Sequence, residues 1–192
     1  MTGKLRIIAG QWRGRKLSVP DRPGLRPTGD RARETLFNWI GPRIIGARVL
    51  DLFAGSGVLG LEAASRGANR VVMVERDRLA LEALRSGPLR WPGAEVIEIA
   101  QADALSWLKQ ASGPFDLVLL DPPFDSGLLE PALEAVLNGP GLLAERALVY
   151  VESAPAQLPS TWPEHVEVVR QKRQGQVVLT LLESRKAPDG RL

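Results

Sequence analysis

Three features of the sequence predict an α/β fold built on a largely parallel sheet. From Arg48 onward, short apolar runs rich in branched residues alternate with helix-period segments. That is the pattern of strands buried on both faces by crossover helices. The run Val49-Leu50-Asp51-Leu52-Phe53 leads into Gly55, Gly57 and Gly60, and an alanine-rich segment follows directly, which reads as strand, tight loop, helix. The last two strand patterns are separated only by residues 171–175, too few for a helix, so they should close one sheet edge as an antiparallel hairpin.

In chain order, residues 5–9 and 16–19 read as a hairpin, with Gly10 and Gly14 allowing its turn. Residues 20–28, with Pro20, Pro23, Gly24 and Pro27, read as an extended loop. A helix follows from Asp30 as N-cap, with Ala32, Leu36, Trp39 and Ile40 on one face and Gly41-Pro42 as its stop. Arg31 and Arg33 lie off that face and are expected to reach a phosphate or a carboxylate. Strands are expected at 48–53, 70–75, 95–100, 115–120, 147–152, 164–170 and 176–182, and helices at 58–66, 79–86, 104–110 and 128–137. Three segments result: a basic hairpin and helix at 1–43, a catalytic domain at 44–183, and a polar, disordered tail at 184–192.

Composition narrows the chemistry. Apolar residues make up 44% of the 192 and charged residues 24%, an ordinary balance for one soluble domain. No apolar run reaches membrane-spanning length, and Ile7-Ile8-Ala9 is too short for a signal-peptide core, so the protein is expected in the cytoplasm. Zero cysteines exclude disulfides, thiolate metal sites and a cysteine nucleophile. The single His165 builds no metal site by itself and is expected on a strand surface; no metal is expected. Residues 1–43 hold ten Lys or Arg against three acids, a net +7, while the other 149 residues carry −4. Lys4, Arg6, Arg13, Arg15 and Lys16 surround Trp12 with no acid among them, the electrostatic footprint of a nucleic-acid binder. Trp12 either stacks on a base or braces the hairpin.

Gly55, Gly57 and Gly60 spell G-x-G-x-x-G, with the acidic Glu75 at a ribose-binding distance, which alone fits a dinucleotide. Asp51, however, stands four residues before the first glycine, where a carboxylate repels a pyrophosphate but receives a positive ligand. S-adenosylmethionine, with a sulfonium, an amino acid head and no phosphate, suits an acidic loop better. Ligands of open sheets sit beyond the carboxyl ends of the strands. Asp51, Glu75, Asp103 and Asp121 fall at that edge on four consecutive strands. Glu75 can accept the ribose hydroxyls, Asp103 the adenine amino group, and Asp51 or the loop amides the methionine portion, with Phe53 and Ala104 completing the cofactor set.

Asp121-Pro122-Pro123-Phe124 points to the reaction. Two prolines fix their own φ and lack N–H groups, so the turn presents acceptors: the Asp121 carboxylate and the Pro122 carbonyl. Paired acceptors suit an exocyclic amine, whose ring-delocalised lone pair is freed when its hydrogens are held out of plane. Phe124 would stack on the base.

The stretches from Arg6 to Leu17, Gly24-Leu25-Arg26-Pro27-Thr28 and Arg33-Glu34-Thr35-Leu36-Phe37-Asn38-Trp39, together with Asp51 to Gly57 and Asp121 to Phe124, resemble the bacterial RsmD family, small-subunit ribosomal RNA methyltransferases that modify the N2 amine of one guanine. The resemblance runs in order over nearly the whole chain. It implies a class I methyltransferase fold, a Rossmann-like seven-stranded sheet with its last strand antiparallel and an N-terminal basic hairpin added. It also implies S-adenosylmethionine held by Gly55, Gly57, Glu75 and Asp103, guanine held by Asp121 to Phe124, and a substrate that is an assembled or partly assembled small subunit. Arg6, Trp12, Arg13, Arg15, Lys16, Arg26 and Arg31 are then the expected RNA contacts. Val58 departs from the alanine usual there and crowds the loop, and residues 175–179 lack a tyrosine seen in some relatives, so that strand is given no contact role. Rival readings are a DNA or RNA adenine or cytosine amino-methyltransferase, a nicotinamide-dependent oxidoreductase, and a non-catalytic RNA-binding assembly factor.

Overall fold

The computed structural model describes residues 3–19 and 29–185, and in it the seven apolar runs form one sheet. Strands β1 (Gly3–Arg6) and β2 (Lys16–Val19) make a separate antiparallel pair. Helix α1 (Asp30–Ile40) and a 3-10 turn (Gly41–Ile44) lead into β3 (Arg48–Asp51). Then come α2 (Val58–Ser65), β4 (Arg70–Glu75), α3 (Arg78–Ser86), β5 (Ile97–Gln101), α4 (Ala104–Leu108) and β6 (Phe115–Leu120). Helix α5 (Leu129–Asn138) and strands β7 (Leu143–Ser153), β8 (Val166–Gln174) and β9 (Val177–Ser184) complete the chain. The sheet order is β5-β4-β3-β6-β7-β9-β8. Strands β3 to β7 are parallel, and β9 runs antiparallel to both β7 and β8. The order reverses between β3 and β6, so a crevice opens at their carboxyl ends.

The core has two faces. One packs α1, α2 and the N-terminal hairpin onto the sheet and includes Ile7, Trp12, Leu36, Leu61 and Leu181. The other packs α4 and α5 against Leu50, Val118, Val149 and Leu182. The hairpin and α1 therefore share a core with the sheet, and the expected boundary falls inside the Gly41–Ile44 turn.

The hairpin is tied to the C-terminal end of α2. Gln11 N donates to Ser65 O at 2.8 Å, Trp12 N to Ser65 Oγ at 3.0 Å, and Ser65 Oγ to Ala9 O at 2.6 Å. The approach requires glycine: Gly10 has φ 81°, and a Cβ there would sit 1.8 Å from Ser65 O. Beneath, the fully buried Glu62 accepts from Ile8 N (2.8 Å), Ala9 N (3.0 Å) and Arg66 Nε (2.8 Å), with Arg33 at 3.4 Å.

Several boundaries differ from expectation for physical reasons. Asp30 opens α1 but does not cap it; Gly29 is the N-cap, and the Asp30 carboxylate accepts from Arg6 and Arg33. Strand β7 starts at Leu143, earlier than expected, because exposed Glu145 and Arg146 interrupt the apolar pattern at a bulge, with Arg146 at φ 57°. Strand β8 runs on through Arg170, Lys172 and Arg173 to a two-residue turn, since a sheet edge tolerates charge. Ser184 is the buried last residue of β9, not part of a tail; residues 186–192 lie outside the described set. His165 precedes β8, half-buried, with its ring 3.2 Å from Leu137 O.

Candidate active site

A cleft of about 820 Å3 opens at the carboxyl edge of the sheet. It is lined by Phe53, Gly55, Glu75, Asp103 and Ala104 on one side and by Asp121 to Phe124 on the other, with Arg31 at its mouth. Five of the seven expected cofactor residues thus share one cavity with the expected amine-holding turn; Asp51 and Gly57 do not line it.

The glycine loop is held by carboxylates. Glu75 Oε2 accepts from Gly55 N at 2.7 Å and its Oε1 from Asp77 N at 2.7 Å. Asp51 Oδ2 accepts from Gly60 N at 2.9 Å. Two amides that a pyrophosphate would need are taken by acids, so the G-x-G-x-x-G spacing does not make a dinucleotide site here. Gly55 (φ 52°) and Gly57 (φ 73°) both need glycine's freedom, and a Cβ on Gly57 would also press to 2.6 Å from Leu84. Gly57 therefore shapes the loop from behind, while Gly55 faces the cleft.

Asp51, expected to meet the methionine portion, does not open onto the cleft. It is 1% exposed, lies behind the cleft lining, and binds the first turn of α2. Burial pushes its pKa up to about 7, with the nearby Asp121 and Glu75 adding to the rise and the Gly60 N–H opposing it. Asp103 caps α4 by accepting from Ser106 N at 3.0 Å. That bond and the nearby Arg76 hold its carboxyl below the usual range, so it faces the cleft ionised. Pro122 is buried and Pro123 exposed, and the turn is pinned from two sides. Pro123 O accepts from Ser126 N at 3.0 Å, and the Gln157 side chain donates to Phe124 O.

The basic arm divides. Arg13, Arg15, Lys16 and Arg31 are exposed; Arg15 lies 5.1 Å above the Trp91 ring. Arg6 is exposed but engaged by Asp30 at 3.0 Å. Arg26 lies outside the described residues. Arg33 is fully buried, donating to Arg6 O, Asp30 and Glu62, so it reaches carboxylates and no phosphate. Trp12 presents no open ring face: it is 1% exposed, donates from Nε1 to Pro92 O at 2.9 Å and meets Trp91 edge-on at 5.4 Å. It braces the hairpin.

Three cleft features escaped the sequence reading. Gln174 and Val177, in the hairpin given no contact role, line the cleft, and Gln174 also donates to Thr35 of α1 at 3.1 Å. Glu152, at the end of β7, lines it too; its signal was the same strand-end position that marked the other acids.

Residues 5–183 match the family described as conserved hypothetical protein 95. The chain is 47% identical to ribosomal RNA small subunit methyltransferase D of Escherichia coli K12 over 182 residues, covering 94% of this chain and 90% of that one. The chain belongs to this methyltransferase D family. The Haemophilus influenzae protein of the same name is 42% identical over 185 residues, 95% of each chain. A solved putative methyltransferase from Escherichia coli superposes with a TM-score of 0.86 at 45% identity, covering 95% of this chain and 99% of that one. The expected fold class is thereby met: the methyltransferase D family chain has the class I S-adenosylmethionine-dependent methyltransferase fold. Among the described residues no helix is long and apolar enough to cross a membrane.

Proposed function

We propose that this protein transfers a methyl group from S-adenosylmethionine to the exocyclic N2 amine of one guanine in small-subunit ribosomal RNA, in the cytoplasm, on an assembled or partly assembled subunit. The observation that carries the reading is one cleft holding both the acid-bound glycine loop and the Asp-Pro-Pro-Phe turn. The residues present fit the cofactor. Ionised Asp103 and half-buried Glu75 line the side next to Gly55, offering acceptors to amino and hydroxyl groups and nothing to a phosphate. When bound, S-adenosylmethionine supplies an electrophilic methyl on a cationic sulfur.

The chain's part is to hold and aim the amine. Asp121 accepts amine hydrogens, and the Pro122 carbonyl offers a second acceptor, which draws the nitrogen lone pair out of the ring and toward the methyl donor. Phe124 stacks on the base and fixes its plane. The methylated nitrogen is acidic, and Asp121 or water takes its proton. A guanine amine inside a paired helix is out of line for transfer, so the base enters unpaired or flipped. Arg31 at the cleft mouth and Arg13 and Lys16 on the hairpin hold the flanking backbone.

The test supplies methyl-labelled S-adenosylmethionine with small subunits from a strain lacking this enzyme, protein-free ribosomal RNA, or duplex DNA, followed by nucleoside analysis. Label is expected in N2-methylguanosine from subunits or ribosomal RNA. Asp121→Ala should lower kcat about a hundredfold to a thousandfold. Label in DNA or in methyladenine would overturn the reading, and full function of Asp121→Ala in subunit assembly without transfer would favour an assembly factor.

A further inference from the structure

We propose that Glu152 is the residue that selects guanine, by accepting the N1–H of the base while Asp121 accepts from its neighbouring amine; this rests on the guanine-N2 reading above. Among the cleft acids, Asp103, Glu75, Asp121 and Glu152 stand in that order along the sheet, just beyond β5, at the end of β4, just beyond β6 and near the end of β7. The first two flank the glycine loop, so Glu152 lies beyond Asp121, away from the cofactor and on the substrate side. Strands β6 and β7 are parallel with Leu120 opposite Val151. Asp121 and Glu152 each follow that pair by one residue and so stand side by side.

Glu152 is only 5% exposed yet lines the cleft. Its Oε1 accepts from the hydroxyl of Tyr150, itself fully buried, at 2.8 Å. The phenol fixes the carboxylate's orientation, and a carboxylate's two oxygens offer about four acceptor sites. Guanine matches two neighbouring carboxylates: its N2 amine and N1–H are adjacent donors on one edge. Adenine and cytosine place an acceptor nitrogen beside their amine, which would face the Glu152 carboxylate lone pair to lone pair. The pair thus recognises the base as well as the amine.

The experiment measures methyl transfer to the substrate identified above with its target guanosine replaced by 2-aminopurine or 2,6-diaminopurine ribonucleotide. Both keep the 2-amine and lose the N1–H. Wild-type kcat/KM should fall about tenfold to a hundredfold on replacement. Glu152→Gln, whose amide can donate as well as accept, should lose a similar factor on guanosine and discriminate between the bases less than about threefold, with calorimetric cofactor affinity unchanged. Tyr150→Phe, which keeps the carboxylate but frees it, should show a smaller loss in the same direction. A wild-type enzyme indifferent to loss of the N1–H, or a Glu152→Gln enzyme that discriminates as well as wild type, overturns the proposal while leaving guanine methylation standing. Wild-type label in adenine or cytosine, or no transfer to guanosine, overturns both.

Discussion

Asp51 shows how one buried carboxylate can serve the site from behind, by holding the first turn of α2. Its proton is retained in the folded state up to about pH 7 and lost from the unfolded chain near pH 4. Between those values the folded state binds more protons, so this group's contribution to stability falls as pH rises and is flat above 7. The contribution lost is on the order of 4 kcal/mol. Asp51→Asn, whose carbonyl can still accept from Gly60 N, should lack that slope. Urea unfolding of both proteins at pH 4.5 and 8 checks it, and parallel pH dependences would refute it. Trp12 makes the opposite case, a residue that looks like a contact and is not. Trp12→Phe should cost about 1–2 kcal/mol through the lost bond to Pro92 and altered packing, and leave RNA affinity unchanged. A weakened RNA complex with unchanged stability would restore the stacking role. Sequence could not separate these roles, because an aromatic among cations reads alike buried or exposed; the deciding partners, Pro92 and Trp91, are some eighty residues away.

At the scale of elements, the sheet was legible because apolar runs buried on both faces leave a continuous signature, as in β4 and β6, whose ends fall where expected. Edge and bulge segments were not. Lys172 and Arg173 read as turn residues because β8 is an edge with solvent on one side. The attachment of the hairpin to α2 was also hidden, since Glu62 and Arg33 look like surface charges on helices. Their burial makes the joint sensitive. Glu62→Ala removes one of the two carboxylates that meet the buried Arg33 guanidinium and leaves two hairpin amides unbonded, and should cost about 3–5 kcal/mol. Chemical denaturation measures this directly; a loss under about 1 kcal/mol would mean that solvent replaces the carboxylate.

Across the whole molecule, Glu75, Asp103, Asp121 and Glu152 line the cleft, while Arg13, Arg15 and Lys16 are exposed on the hairpin and Arg31 borders the cleft, a separation that sets how RNA binding at this face responds to salt. If Arg13, Arg15, Lys16 and Arg31 each meet a phosphate, the log-log slope of affinity against salt should be about −3. Replacing Arg13 and Lys16 by alanine should reduce it to about −1.5, read by filter binding over a salt series. An unchanged slope would place the RNA on another face. The site was legible at this scale because strand-end position in an open sheet is a property of order along the chain; which acid faces the cleft and which stands behind it depends on side-chain direction, as Asp51 and Glu75 show. The seam between hairpin and α2 also limits how the protein can be recombined. A chimaera cut between the RNA arm and the sheet, at residue 43 or 44, would carry a foreign arm onto Glu62 and Ser65, two positions shaped for Ile8, Ala9 and a glycine at position 10. Exchange of RNA specificity between relatives should succeed only when the arm and α2 are transplanted together, and α2 brings the cofactor loop with it.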